Sequence, residues 1–336
     1  MLRTYKPLDD HPVFEYQEYI QHLICEVWCN AQEPISCYGL LNEDVEKIYN
    51  ARDWVKNSVD EIYELSKSLT EDERAAIREA FILNNGIENL CEAISQPVSL
   101  DDLPNVVKEK MKDFLVKCYS DLITAKEKLD YYNNLIYNNN NLKFCPCCGL
   151  VPIESGESRY REDNDHFLPK EKYPFASVNF SNLTPLCSKC NKKCKSTKNP
   201  CENNRRSFYA FKPLPNEFEI GLTIKSSNTT NYGDLKQEEV ELEFNNDAEK
   251  VDTWNWLFDI KNRYNEEVRQ FSKTELRTIA NRFKRNTARK EGATYEQILN
   301  DAIEDYHIDR YDDRKFLKLA FLKEILLKPE WMAVYS

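Results

Sequence analysis

Near the middle of this 336-residue chain, Cys145-Pro146-Cys147-Cys148-Gly149 and Cys187-Ser188-Lys189-Cys190-Asn191 supply two Cys-x-x-Cys pairs. Each pair puts two thiols on one side of a tight turn, and two pairs complete a tetrahedral set of four thiolates. Cys145, Cys148, Cys187 and Cys190 are therefore expected to hold one structural zinc with no open coordination position. Cys147 is badly spaced from Cys145 to replace either ligand. Between the pairs lie Asp163-Asn164-Asp165-His166-Phe167-Leu168-Pro169-Lys170 and Asn182-Leu183-Thr184-Pro185-Leu186. A carboxylate beside the one histidine of this stretch, with asparagines downstream, can bind a cation and move a proton.

The charge of the stretch differs from that of the chain. The whole protein carries a net −11, yet residues 141–215 hold 13 Lys+Arg against 7 Asp+Glu, a net of +6. Between Cys187 and Arg206 the cations are Lys189, Lys192, Lys193, Lys195, Lys198, Arg205 and Arg206, and the only acid is Glu202. A basic island in an acidic body is a focused electrostatic site, whereas the overall charge argues against general nucleic-acid adhesion. Twelve cysteines in a chain of this length and composition read as metal ligands and buried thiols, not as a secreted disulfide scaffold. No apolar run approaches the roughly 20 residues that span a bilayer, so a cytoplasmic protein without membrane contact is expected. No GxxxxGK[ST] string occurs, so nucleotide hydrolysis is not expected of this chain.

Three regions flank and contain the site: a helical region over residues 1–140, the cysteine module over 141–215, and a β-hairpin plus helices over 216–336. Tyr16, Ile20, Leu23, Ile24 and Val27 recur at helical spacing. Thr70-Glu71-Asp72-Glu73 reads as a capping box, and Gly86 as a stop in the left-handed region. Val107, Met111, Phe114, Cys118, Leu122, Leu129, Tyr132 and Ile136 form one stripe and predict a single long helix from about Pro104 to Tyr137. The Asn138–Asn141 run marks its end. Phe218, Ile220, Leu222 and Ile224 alternate, as do Val240, Leu242 and Phe244, predicting a hairpin with a long polar connection from Ser226 to Lys236. Leu257, Ile260, Tyr264, Val268 and Phe271 share a helical face, Thr294 caps a further helix, and a last helix ends before Pro329. His22, Cys25, Cys29 and Cys37 match no common ligand spacing and read as packing. Trp254 and Trp256 read as core anchors.

The ordered set Cys145-x-x-Cys148, Asp165-His166, Asn182-Leu183 and Leu186-Cys187-x-x-Cys190-Asn191 resembles the HNH, or ββα-metal, nuclease family. The resemblance covers about 50 residues of the chain. It implies a small zinc-stapled ββα-metal module, so with the helical stripes and the alternating segments the expected fold is mostly α with that module and a short β-hairpin. It also implies roles: His166 as general base, Asp165 and Asn191 as ligands of a catalytic metal, and Asn182 as the residue that bridges the loop and orients the His166 imidazole. Neighbouring strand residues point to opposite faces, so Asp165 and His166 would need a local bulge to serve one site. Asn191 stands where the family often has histidine. Two oxygen donors favour Mg²⁺ or Mn²⁺ over softer cations. The seven basic residues from Lys189 to Arg206 would hold phosphates, Lys195 nearest the scissile group. The string from Asp165 to Phe175 is similar to a bacterial branch linked to anti-phage defence, which includes Septu-type systems whose nuclease works with an ATPase partner. The expected activity is metal-dependent phosphodiester hydrolysis in nucleic acid, DNA in preference to RNA. The alternatives are a zinc-binding nucleic-acid or protein interaction module without catalysis, and an RNA-directed nuclease effector.

Overall fold

Three helices of this protein start on the same local device. Thr70, Thr124 and Thr294 each take an extended backbone, and each hydroxyl accepts a hydrogen bond from the amide three residues on. The Glu73, Glu127 and Gln297 side chains return the favour to the cap backbone, so two orphan amides are satisfied at each start. The box at Thr124 explains a departure from the sequence reading. The stripe from Val107 to Ile136 is not one helix: it breaks at Ile123, which is extended, and restarts at Thr124. Gly86 closes its helix with φ −79°, outside the left-handed region, so that stop does not rest on glycine's freedom there.

The computed structural model describes residues 1–8, 10–225 and 234–334. The Ser226–Gly233 part of the hairpin connection lies outside them. Twelve α-helices are described: α1 (Glu15–Gln21), α2 (Glu43–Ala51), α3 (Asp53–Ser66), α4 (Glu71–Asn85), α5 (Ile87–Cys91), α6 (Asn105–Lys117), α7 (Ala125–Asn133), α8 (Ala248–Phe258), α9 (Ile260–Ala288), α10 (Tyr295–Ile308), α11 (Lys315–Leu326) and α12 (Pro329–Met332). Two antiparallel strand pairs complete the set: β1 (Asn164–His166) with β2 (Leu183–Pro185), and β3 (Ile220–Ile224) with β4 (Val240–Phe244). The fold is mostly helical with one small ββα element and one hairpin, as the sequence implies.

The chain forms two compact units. One comprises 4–142 and 154–213; the other comprises 1–3, 143–153 and 214–336. In the first, α3 and α6 enclose Trp28, whose ring meets Phe114 at 5.5 Å and whose Nε1 donates to the Val59 carbonyl. α4 and α5 receive the loop that follows β1. Phe175 packs edge-on against Phe81, and Leu168, Tyr173 and Ala176 join Ile87, Leu90 and Cys91 in one buried cluster. The hydrophobic residues of the Asp165–Phe175 string are therefore packing anchors, and the helical region is the surface they anchor to.

In the second unit, the first knuckle is gripped through its carbonyls. Trp254 Nε1 donates to Cys147 O at 3.1 Å, Tyr264 Oη to Cys148 O at 2.9 Å, and Arg3 N to Pro146 O at 2.9 Å. Gly149 turns the knuckle with φ +66°, and a Cβ there would sit 2.7 Å from the Phe316 ring, so both conformation and space require glycine. Trp254 is a core anchor, packed edge-on against Phe218 and Phe244. Asp259, left-handed, separates α8 from α9, which divides the expected face of Leu257 to Phe271 between two helices.

Candidate active site and four-cysteine cluster

Cys145, Cys148, Cys187 and Cys190 are all buried, and their Sγ atoms lie within 4.8 Å of one another. A tetrahedron of thiolates around zinc has edges of roughly 3.8 Å, from bonds of about 2.3 Å. The four cysteines can thus hold a metal such as zinc with small adjustments of rotamer. Cys147 is also buried but stands outside this cluster; its carbonyl, not its thiol, carries its contacts with Leu2 and Trp254.

The second pair leads directly into a helical segment, Lys189–Lys195, whose hydrogen bonds are of the wide π type. β1 and β2 precede it, so strand, strand and helix follow in order. Pairing in the sheet is regular, with Asn164 opposite Pro185, Asp165 opposite Thr184 and His166 opposite Leu183. The bulge expected between Asp165 and His166 is absent among the described residues. The two side chains leave opposite faces, Asp165 toward the helical segment and His166 toward the N-terminal helices.

His166 is fixed by that second face. Its Nε2–H donates to the Ser177 carbonyl at 3.0 Å, and the Ser177 hydroxyl donates to Leu115 O at 2.8 Å. This assignment leaves Nδ1 as the proton acceptor. Tyr119 closes the ring edge-on at 4.6 Å. Burial, with Lys170, Lys195 and Lys128 nearby, lowers the His166 pKa to about 3, so the imidazole is neutral at pH 7. Lys128 and Lys170 both stand over the Tyr119 ring, at 4.6 and 5.3 Å. Burial and Lys170 also lower the Lys128 pKa.

Asn182 bridges the loop, as expected of it, but has no direct bond to the imidazole. Its Oδ1 accepts from Leu168 N at 2.8 Å, and its Nδ2 donates to Ala176 O at 3.0 Å. It ties the ends of the 168–176 loop together and does not bond the imidazole; the Ser177 carbonyl does that. Asn182 thus positions His166 at one remove.

Asp165 lies against Lys195. The ion pair is 3.0 Å long, and both side chains are almost wholly buried, at 8% and 3% exposure. The same ammonium donates to the His166 carbonyl at 2.6 Å. Lys195 is therefore a buried counter-ion and not the exposed phosphate contact suggested by its place in a basic run. Burial raises the Asp165 pKa and Lys195 opposes the rise. Truncating one member of such a pair strands a charge, which costs about 3–5 kcal/mol. Lys195→Ala is expected to lower the urea midpoint accordingly, and Asp165→Asn added to it is expected to restore part of the loss. An unchanged midpoint in Lys195→Ala would show that the pair contributes nothing.

The remaining basic residues divide. Lys189 and Lys193 are exposed and form no ion pair among the described residues. Lys192 pairs with Asp163 at 2.7 Å, and Arg206 with Glu92 at 3.0 Å. Lys198 and Arg205 are half-buried. Asn191 is half-buried in the helical segment, its amide N bonded to Cys187 O. Four residues near His166 were not singled out from sequence: Tyr119, Lys128, Lys170 and Ser177. Only Lys170 had a local signal, four residues past His166.

No family model matches the chain, and no solved structure matches it. A stretch of 56 residues is 43% identical to the Septu protein PtuB of Bacillus thuringiensis, covering 17% of this chain and 20% of that protein. The chain thus spans about a fifth of the length of the curated relative it matches, and this segment is similar to a Septu protein.

Proposed function

We propose that this protein is a metal-dependent endonuclease of the HNH type, acting on DNA as the nuclease of a Septu-like anti-phage system with an ATPase partner. The observation that carries the reading is the neutral imidazole of His166. It is fixed through Nε2 with Nδ1 left to accept a proton, adjoins a buried carboxylate in a ββα element, and has two lysines beside it. The partial likeness to a Septu protein supports the defence setting; the ATPase partner is carried by the resemblance of the Asp165–Phe175 string to Septu-type systems.

The residues fit a hard divalent cation. Among the described residues, Lys195 is the one hydrogen-bond partner of the Asp165 carboxylate, which leaves acceptor positions unfilled in a buried site. Asp165 and Asn191 would hold the ion, Mg²⁺ or Mn²⁺, which when bound supplies charge stabilisation to the phosphate oxygens; because Asp165 and His166 leave opposite faces of β1, serving one phosphate requires a local rearrangement of this strand when substrate binds. Nδ1 of His166 takes a proton from water as the water oxygen attacks phosphorus. The P–O3′ bond breaks, its electron pair goes to the 3′-oxygen, which takes a proton from solvent, and a 5′-phosphate and a 3′-hydroxyl remain. Lys170 and Lys128 face the same imidazole and would hold a phosphate there, and that anion in turn raises the basicity of His166. Lys189 and Lys193 extend the cationic surface to neighbouring phosphates.

Product chemistry tests this. Circular DNA nicked by the protein in Mg²⁺ or Mn²⁺ should carry 5′-phosphate and 3′-hydroxyl ends that DNA ligase reseals. Ends bearing a 3′-phosphate would contradict the scheme, since they require the other ester bond to break.

A further inference from the structure

The second unit carries a basic surface that the central module does not account for. From Leu276 to Lys290 the chain has six cations, Arg277, Arg282, Lys284, Arg285, Arg289 and Lys290, and no acid, in a protein of net charge −11. This is the C-terminal half of α9, a helix of 29 residues ending at Ala288, together with the two residues that follow it. Leu276, Ile279 and Ala280 are buried on one side of it. At roughly 3.6 residues per turn, Arg277, Arg282, Lys284, Arg285 and Arg289 fall on the opposite half of the circumference. All are exposed except the half-buried Arg282.

Few carboxylates answer them. Arg282 approaches Asp305 at 3.7 Å and Arg289 approaches Glu291 at 3.7 Å. Arg277, Lys284, Arg285 and Lys290 have no ion pair among the described residues, although α10 brings Glu296, Asp301 and Glu304 to the neighbouring helix. The helix dipole favours cations at the C-terminal end only, which explains Arg285 in the last turn and Arg289 at the cap but not Arg277, Arg282 or Lys284. Crowding like charges along two turns costs stability unless something of opposite charge relieves it.

We infer that the outer face of α9 from Arg277 to Arg289 is a docking surface for the phosphate backbone of duplex nucleic acid, built from residues other than those of the cleavage site. The exposed guanidinium and ammonium groups match a polyanion by charge, and nothing on this face offers base readout, so binding there is independent of sequence. The inference rests on the nucleic-acid substrate proposed above, but its test reads binding and not cleavage.

The full-length His166→Ala protein, which keeps the α9 surface, is titrated with a fluorescent DNA duplex over a salt series without added divalent metal. Adding Lys284→Ala and Arg285→Ala should weaken binding about tenfold and reduce the slope of log K against log salt by about two, since each duplex phosphate contact contributes about 0.9. Circular dichroism should be unchanged, because both side chains are exposed. An identical dissociation constant and slope would overturn the inference, as would loss of binding to an acidic protein partner with DNA binding intact. Cleavage by the wild-type protein is scored separately, so the docking surface and the nuclease reading fail independently.

Discussion

Replacing Cys187 with serine is expected to release the metal and unfold the ββα element. A four-thiolate zinc site contributes on the order of 10 kcal/mol of apparent binding free energy, which is folding free energy wherever the site does not preform. The element's own secondary structure adds little to that, whatever its loop gains by packing on α4 and α5. β1 and β2 are three residues each, and the helical segment Lys189–Lys195 has the weaker π-type bonding. The expected outcomes are about one zinc per wild-type chain, less than a tenth of that in Cys187→Ser, and a protein that is proteolysed rapidly between Glu154 and Pro213. Substitution of Cys147 is expected to leave the zinc in place, because its carbonyl and not its thiol is in use. Elemental analysis and limited proteolysis give both readouts. Full zinc in Cys187→Ser would remove the four-thiolate assignment.

His166→Ala is expected to lower DNA cleavage by 10²–10⁴-fold, the usual contribution of a positioned general base. The structural cost should be small by comparison. The ring is half-buried and gives up one hydrogen bond, to Ser177 O, and one edge contact, with Tyr119. Asn182→Ala tests the positioning role in a different way. It cuts the ties between Leu168 and Ala176, so it should lower activity and stability together, whereas His166→Ala lowers activity alone.

What could be read in advance was local chemistry. Thr70 with Glu73, the cysteine spacings, and the alternation in β3 and β4 are encoded within a few residues of themselves, and each stands in the structure. The break at Thr124 carried the same Thr-x-x-Glu signal as Thr70 but was masked by a hydrophobic stripe that runs across it. Other features depend on contacts far along the chain. Lys195 sits in a run of cations, and nothing near it shows that its ammonium turns inward to Asp165, thirty residues back. Tyr119, Lys128 and the Leu115 carbonyl reach the His166 environment from α6, α7 and the turn between them. The grip of Trp254 and Tyr264 on the first knuckle spans more than a hundred residues. The basic half of α9 was visible in composition, but its exposure and lack of partners belong to the helix packing.

The central claim is tested most directly by the rate at which supercoiled plasmid is nicked in Mn²⁺ by two preparations of equal zinc content, wild type and His166→Ala, each with the proposed ATPase partner supplied. Metal-dependent nicking by the wild type and its loss by at least about 100-fold in His166→Ala is the expected result. Equal rates from the two proteins, or no nicking by either in Mg²⁺ or Mn²⁺, would contradict the assignment of His166 and with it the nuclease.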